Sequence, residues 1–306
     1  MKSKDSQVVS APREKSSGFS RITFLETGGH GRITARMACA VESAARLNPD
    51  WTVYLLSVAH GEEALKDNAT SSFSQLLTSI PNVVMGTIKP QEVFQGTPLE
   101  SWYESGILNK SAYPVEHLAD ALRLAVVYKE GGVYLDIDVI VMRSLDSLPP
   151  CVCQAPVNGG DMVGNAFFAF HRGDPFLLYL METARKVYKP REWSSIGPLL
   201  LRQATLARCR AKTVKRILGH RCGGDEGFTV MPHWIFMPIS AGDWKLHFAA
   251  NASRQVWIMS AGSYVIHFYN ALSSKTHAVP GCFYREAAEL YCHDSLQLSL
   301  VINGVF

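Results

Sequence analysis

Residues 114–142, PVEHLADALRLAVVYKEGGVYLDIDVIVM, allow few folds. Val115, Leu118, Ala119, Leu122, Ala125 and Val126 recur at i, i+3, i+4 and i+7, which draws one apolar stripe on a helix. Pro114 opens that helix and Gly131-Gly132 stops it. An apolar run from Val133 to Met142 follows, interrupted by two carboxylates, Asp136 and Asp138. A helix that delivers directly into an apolar strand is the crossover of a sheet covered on both faces.

The same rhythm begins earlier in the chain. RITFLETG (21–28) reads as a first strand, and Ile33, Met37, Ala40, Val41 and Ala44 keep helical spacing up to Asn48-Pro49. WTVYLLSV (51–58) and PNVVMGTI (81–88) read as a second and a third strand. Beyond Pro149-Pro150, NAFFAFHRGDPF predicts a strand and turn, then a helix from Phe176 to about Tyr188. Strands alternating with helices define an α/β protein with parallel pairing. Residues 1–20, polar and rich in Ser and Lys, predict a flexible tail or stalk remnant before a single domain over 21–306.

Composition narrows the partners. Hydrophobic residues at 47% and charged residues at 19% build a globular core, and a net charge of +3 is too small to argue for nucleic acid. No run approaches the roughly 18 apolar residues that a bilayer requires. Sequons at Asn68, Asn109 and Asn251 hint at a lumenal protein. Seven cysteines contain no CxxC pair. They read either as buried thiols or as the loop staples Cys209–Cys222 and Cys282–Cys292 of an oxidising compartment.

Asp136 and Asp138 carry the chemistry. On one continuous strand they project from the same face, about 7 Å apart. Two ionised carboxylates in an apolar run need a cation, a Lys or Arg, or open water beside them. Strands of α/β folds deliver their C-terminal ends to the ligand crevice, where such a pair suits a hard divalent ion and a diphosphate. An aspartyl-phosphate phosphatase would place its pair after the first strand and follow it with a loop; here the pair lies mid-chain and Val139–Met142 continues the strand. Nucleotide-sugar glycosyltransferases use the acids to hold a metal against the leaving diphosphate. On a helix, Asp120 and Arg123, three apart, are neighbours and could form a plain surface ion pair. Trp234, Trp244 and Trp257 read as core more readily than as sugar platforms.

The segments FLETG, ACAVESAARLNP, DALRLAVVYKEGGVYLDIDVIVMRSLDSL, GNAFFAFHRGDPF, IGPLLLRQA, PHWIFMPISAGDWKLHF and YVIHFYN occur in this order over about 21–270. Together they resemble the α-1,4-glycosyltransferase family of lactosylceramide 4-α-galactosyltransferase and its arthropod-type relatives. The resemblance implies a GT-A fold, a retaining reaction and Mn2+. It also implies a donor, UDP-galactose or UDP-N-acetylgalactosamine, and a glycolipid acceptor at a membrane surface, with α-1,4-N-acetylglucosaminyl or -galactosaminyl transfer as the neighbouring activity. A metal-dependent phosphohydrolase and an inactive UDP-sugar-binding relative are the more distant readings. Asp136 and Asp138 become metal and diphosphate ligands, with His267 as a third ligand, followed by Tyr269 where the family has Trp. Asp120 and Arg123 contact donor sugar and nucleotide, Glu26 and Thr27 hold uridine, and Asn165 and Gly197 face the sugar. Gly131 and Gly132 let the backbone approach the donor. Family members are tethered in the Golgi lumen by an N-terminal membrane helix, which these 306 residues do not show.

Overall fold

A computed structural model describes residues 18–28, 31–58, 68–157, 160–224 and 227–306, with the side chains of residues 68–70 left out. Most of the expected tail therefore lies outside the described residues. Its last part does not behave as a tail: Phe19 is buried, packed against Trp51 and His171.

The first half alternates as its periodicity demands. It runs through β1 (Arg21–Glu26), α1 (Ala35–Leu47), β2 (Thr52–Val58), α2 (Asn68–Thr78) and β3 (Val83–Ile88). Two short helices, α3 (Pro90–Phe94) and α4 (Glu100–Glu104), lead into α5 (Pro114–Glu130), β4 (Gly132–Leu135) and β5 (Val139–Val141). β6 (Cys151–Gln154), β7 (Val163–Phe170), α6 (Pro175–Val187) and α7 (Pro198–Arg208) follow. β8 (Arg221–Cys222), β9 (Phe228–Met231), α8 (Ser253–Met259) and β10 (Val265–His267) come next. The chain closes with α9 (Asn270–Ser273), α10 (Phe283–Tyr291) and α11 (His293–Asn303).

Eight strands form one sheet in the order β3-β2-β1-β4-β7-β6-β9-β8. β3, β2, β1 and β4 run parallel, and β7 is antiparallel to β4. Chain direction across the sheet switches between β1 and β4, so a crevice opens beyond their C-terminal ends. Alternation along β1 sends Ile22 and Phe24 into the core under α1 and α2, and Leu25 into the opposite core under α5, α6 and α7. A third core, built on Ile140, Ile266, Phe268, Phe283, Tyr284 and Leu296, unites β5 and β10 with α10 and α11.

Two expectations need correction. The apolar run after Gly132 is not one strand. Asp136 still donates its backbone N–H to Ala166 in the main sheet, but the chain then turns away. Val139–Val141 pairs antiparallel with Val265–His267 in a separate two-stranded sheet. Asp is disfavoured within strands, and the ladder of the main sheet stops where the first of the two acids begins. The second correction concerns cysteines. Cys209–Cys222 forms, but Cys292 pairs with Cys39 on α1, 253 residues away, and Cys282 stays a buried thiol.

Gly131 and Gly132 have positive φ, 71° and 100°. A Cβ at Gly131 would meet the Arg172 backbone at 2.8 Å, and one at Gly132 the Arg21 carbonyl at 2.5 Å. They stop α5 and turn the chain into β4. They lie at the strand's opposite end from Asp136, Gly132 about 13 Å away by strand rise. The close approach they permit is to Arg172 and Arg21, and it does not extend to the ligand crevice.

Candidate active site

Strand periodicity sets the site's first contact. Tyr134 and Asp136 point to the α5 side of β4, and the Tyr134 hydroxyl donates to Asp136 Oδ1 at 2.7 Å. Helical spacing sets the second. Asp120 and Arg123 sit on the buried face of α5, and Arg123 reaches the same Asp136 oxygen at 2.9 Å. Its guanidinium also donates to the Asn165 carbonyl at 2.7 Å and lies 3.4 Å from Asp120 Oδ1. Asn165 on β7 donates its amide to Asp120 at 2.6 Å. The Asp120–Arg123 pair is therefore a buried hub, not a surface ion pair.

Gly197 closes this corner. A Cβ there would stand 2.4 Å from Asp120 Oδ2 and 2.8 Å from Asn165 Nδ2, so any larger residue would displace both. Extending the β1–β4 register past Ile22–Val133 brings Glu26 level with the acids. Glu26 is buried, and its Oε2 has no hydrogen-bond partner among the described residues; Thr27, half-buried, follows it.

Asp138 faces a different wall. Its carboxylate accepts the Asn270 N–H at 2.6 Å, and its backbone carbonyl accepts from Phe268. Tyr269 lies between these two donors in the left-handed region, φ 55°, rare for a large side chain. That turn is what aims the Asn270 N–H at the acid. Arg36 on α1 secures the turn from behind, through Asn270 Oδ1 at 3.0 Å and the carbonyl and hydroxyl of Ser273.

Between the two walls stands His267. Its Nε2 lies 3.1 Å from Asp138 Oδ1 and 3.7 Å from Asp136 Oδ2, yet neither ring nitrogen has good hydrogen-bond geometry. One ligand atom from each of Asp136, Asp138 and His267 falls within 4.8 Å of the others. Two hard oxygens, an imidazole and unsatisfied buried nitrogens fit a divalent cation.

The charges agree with that reading. Burial opposes ionisation of Asp136, but Arg123, His267 and the Tyr134 hydroxyl outweigh it and hold the carboxyl at about 2. Burial likewise disfavours the His267 imidazolium, but Asp138 and Asp136 dominate and raise it to about 10. Without a metal, the two acids therefore favour the protonated, cationic form of His267. Asp120 goes the other way: burial pushes it up to about 7, although Arg123 pulls it down.

The structure brings Asp120, Arg123, Asp136, Asp138, Asn165, Gly197 and His267 into one cluster, places Glu26 and Thr27 at its edge, and leaves Gly131 and Gly132 out. Trp234 is 48% exposed and is not core, whereas Trp244 and Trp257 are half-buried. Tyr134 was readable in principle, since period 2 puts it on the face of Asp136. Asn270 acts through its backbone and left no signal in residue type. A cavity of about 770 Å³ lies away from this cluster, beside the Cys209–Cys222 bridge.

Fold and site together are those of a GT-A glycosyltransferase with a D-x-D motif, and residues 34–153 match the glycosyltransferase sugar-binding region containing that motif. Residues 169–299 match the Alpha 1,4-glycosyltransferase conserved region. Mouse lactosylceramide 4-alpha-galactosyltransferase is 30% identical over 266 residues, 87% of this chain and 71% of that protein. Human alpha-1,4-N-acetylglucosaminyltransferase is 28% identical over 264 residues, 84% of this chain and 73% of that one. The chain belongs to the α-1,4-glycosyltransferase family. Among solved structures, galactosyltransferase LgtC with donor and acceptor sugar analogues aligns over 93% of this chain and 98% of its own, at 14% identity and a TM-score of 0.42.

Proposed function

We propose that the protein is a retaining glycosyltransferase that moves galactose, or N-acetylgalactosamine, from its UDP conjugate to the 4-hydroxyl of a terminal galactose on a glycosphingolipid such as lactosylceramide. The observation that carries this reading is the Asp136–Asp138–His267 cluster beyond the C-terminal ends of β1 and β4, with Arg123 beside it. Asp136, Asp138 and His267 would hold Mn2+, which would supply Lewis-acid neutralisation of the diphosphate. Arg123 adds a fixed positive charge next to the departing UDP, in a setting dry enough for it to count. Glu26 Oε2, buried and unpartnered, accepts from the nucleoside. Asp120 and Asn165 offer an acceptor and a donor to the sugar hydroxyls, and the missing side chain at Gly197 lets the chain pack against both without displacing them.

Outside the proposed metal ligands, Asp120 is the carboxylate that stands beside the sugar-binding corner. Arg123 and Asn165 both engage its Oδ1, and burial pushes its value up to about 7 although Arg123 pulls it down. The Cys39–Cys292 and Cys209–Cys222 bridges, with exposed sequon residues Asn109 and Asn251, support a membrane-associated enzyme of the Golgi lumen. Among the described residues no helix is long and apolar enough to cross a membrane.

The test is transfer from UDP-galactose, UDP-N-acetylgalactosamine and UDP-N-acetylglucosamine to lactosylceramide with Mn2+, with products resolved by mass and linkage. Asp138→Asn is expected to lose at least about a thousand-fold in rate, as is the wild type in excess chelator. Full activity under either condition would contradict the reading.

A further inference from the structure

Donor recognition accounts for the cluster on α5, β4 and β7 but leaves the segment just before Gly197 unexplained. Trp193 lies there. At 56% exposure it is the most exposed of the six tryptophans, and among the described residues no hydrogen bond or ring contact engages its indole. A lone exposed aromatic is ordinary on a protein surface. What sets this one apart is how firmly its backbone is held, and where.

His117, fully buried on α5, ties the segment down. Its Nε2 lies 3.0 Å from the Glu192 carbonyl, and its Nδ1 is 2.7 Å from Ser111 Oγ and 2.9 Å from the Tyr188 hydroxyl. The Nε2–H therefore donates to residue 192, immediately before Trp193. Buried Ser195, two residues after it, accepts the Lys189 N–H at 2.7 Å, and Ala112 donates to the Pro190 carbonyl at 2.8 Å. Turns closed by Ser195 to Glu192 and by Gly197 to Ser194 then carry the chain into the Asp120–Asn165 corner. Four residues span at most about 14 Å, and these turns shorten the distance. One helix thus holds both the donor-site pair, Asp120 and Arg123, and the anchor of the Trp193 segment. A side chain with only two rotatable bonds, mounted on fixed backbone, presents a flat apolar surface at little entropic cost.

We propose that Trp193 is the stacking platform for the acceptor sugar, a neutral β-galactoside, which rests on the function proposed above. In galactopyranose the C–H groups of carbons 3 to 5 gather on the face opposite the axial 4-hydroxyl. A ring lying with that face on the indole turns its 4-hydroxyl away from Trp193, which is the direction a 4-O-transferase requires. Trp193 is then an acceptor-binding and specificity residue, while Asp120, Asn165 and Gly197 read the donor.

The test uses the full chain loaded with Mn2+ and UDP and titrated with methyl β-lactoside, following indole emission, alongside transfer kinetics with lactosylceramide. Trp193→Ala is expected to lose the emission change and raise the acceptor KM at least about ten-fold, while the KM for UDP-galactose and acceptor-free UDP release stay as in wild type. Trp193→Tyr keeps a flat ring and is expected to restore most of the acceptor KM. Lactoside binding by Trp193→Ala as tight as wild type, or no lactoside binding by the wild type, overturns the platform. A wild type that binds lactoside through Trp193 but transfers no sugar would refute the proposed activity and leave the platform standing.

Discussion

Asp136 and Asp138 stand two residues apart and belong to different halves of the molecule. Asp136 ends the parallel sheet and is gripped from α5 by Arg123 and from its own strand by Tyr134. Asp138 opens the small second sheet and is gripped by Asn270, from a segment that Arg36 ties to α1 across 234 residues. The first grip comes from neighbours in sequence, the second from long-range pairing: His267 reaches the acids only because β10 pairs with β5. The proposed cation site is therefore a seam. Neither half holds it alone, and the polar side of the seam is strained where Tyr269 takes a left-handed turn.

Removing Arg123 should break the Asp136 side most severely. Arg123→Met leaves buried Asp120 and half-buried Asp136 without their cation, so a loss of about 3 kcal/mol in stability is expected. The accompanying fall in kcat/KM should be about a hundred- to a thousand-fold, measured at saturating Mn2+. A stable, active Arg123→Met enzyme would mean that Asp136 does not depend on α5.

The other side is attacked through Cys39→Ser with Cys292→Ser. Loss of that bridge should lower stability by about 2 to 5 kcal/mol in thermal or denaturant unfolding. It should also weaken Mn2+ binding more than UDP binding, because the core that carries β10 is the one released from α1. Equal weakening of both would erase the distinction between the halves.

The smallest effect, and the one that sharpens the comparison most, is in pH. The folded value of about 10 for His267 exceeds its ordinary 6.5. Its proton thus stabilises the metal-free protein fully below about 6.5, and that contribution is lost as pH rises through about 10. A cation needs the neutral ring. The rise in melting temperature on adding Mn2+ should accordingly grow as pH is raised from about 6 to about 9, and His267→Gln should flatten the trend. A pH-independent shift would remove His267 from the ligand set.

The same division decides what is legible in the chain. α5 runs from Pro114 to Glu130 as its apolar spacing, its opening proline and its closing glycines require. β1, β2 and β3 fall within the three apolar segments read as strands. Local rules suffice because these elements meet their sequence neighbours. Such rules do not show that the chain leaves the sheet at Ile137, since apolar residues on either side look like one strand whichever sheet they join. Nor do they show the partner of Cys292, because loop spacing favours Cys282 while three-dimensional packing brings α11 onto α1. Gly131 and Gly132 show a further limit: positive φ and close approach are features of a donor-facing turn and of a helix stop alike, and the neighbours they meet within the chain are Arg172 and Arg21.

The bridge between Cys39 and Cys292 has a consequence for how the chain is made. Its first sulfur is synthesised 253 residues before its partner. At about 5 to 20 residues per second that wait is roughly 13 to 50 s. During it five further thiols, at 151, 153, 209, 222 and 282, emerge first. Every molecule must therefore keep one reactive group from premature bonding, or undo such bonds, until its last two helices arrive. A chain that ends too soon, lacking those helices, would keep that sulfur unpaired and open to capture by any thiol-based surveillance it meets.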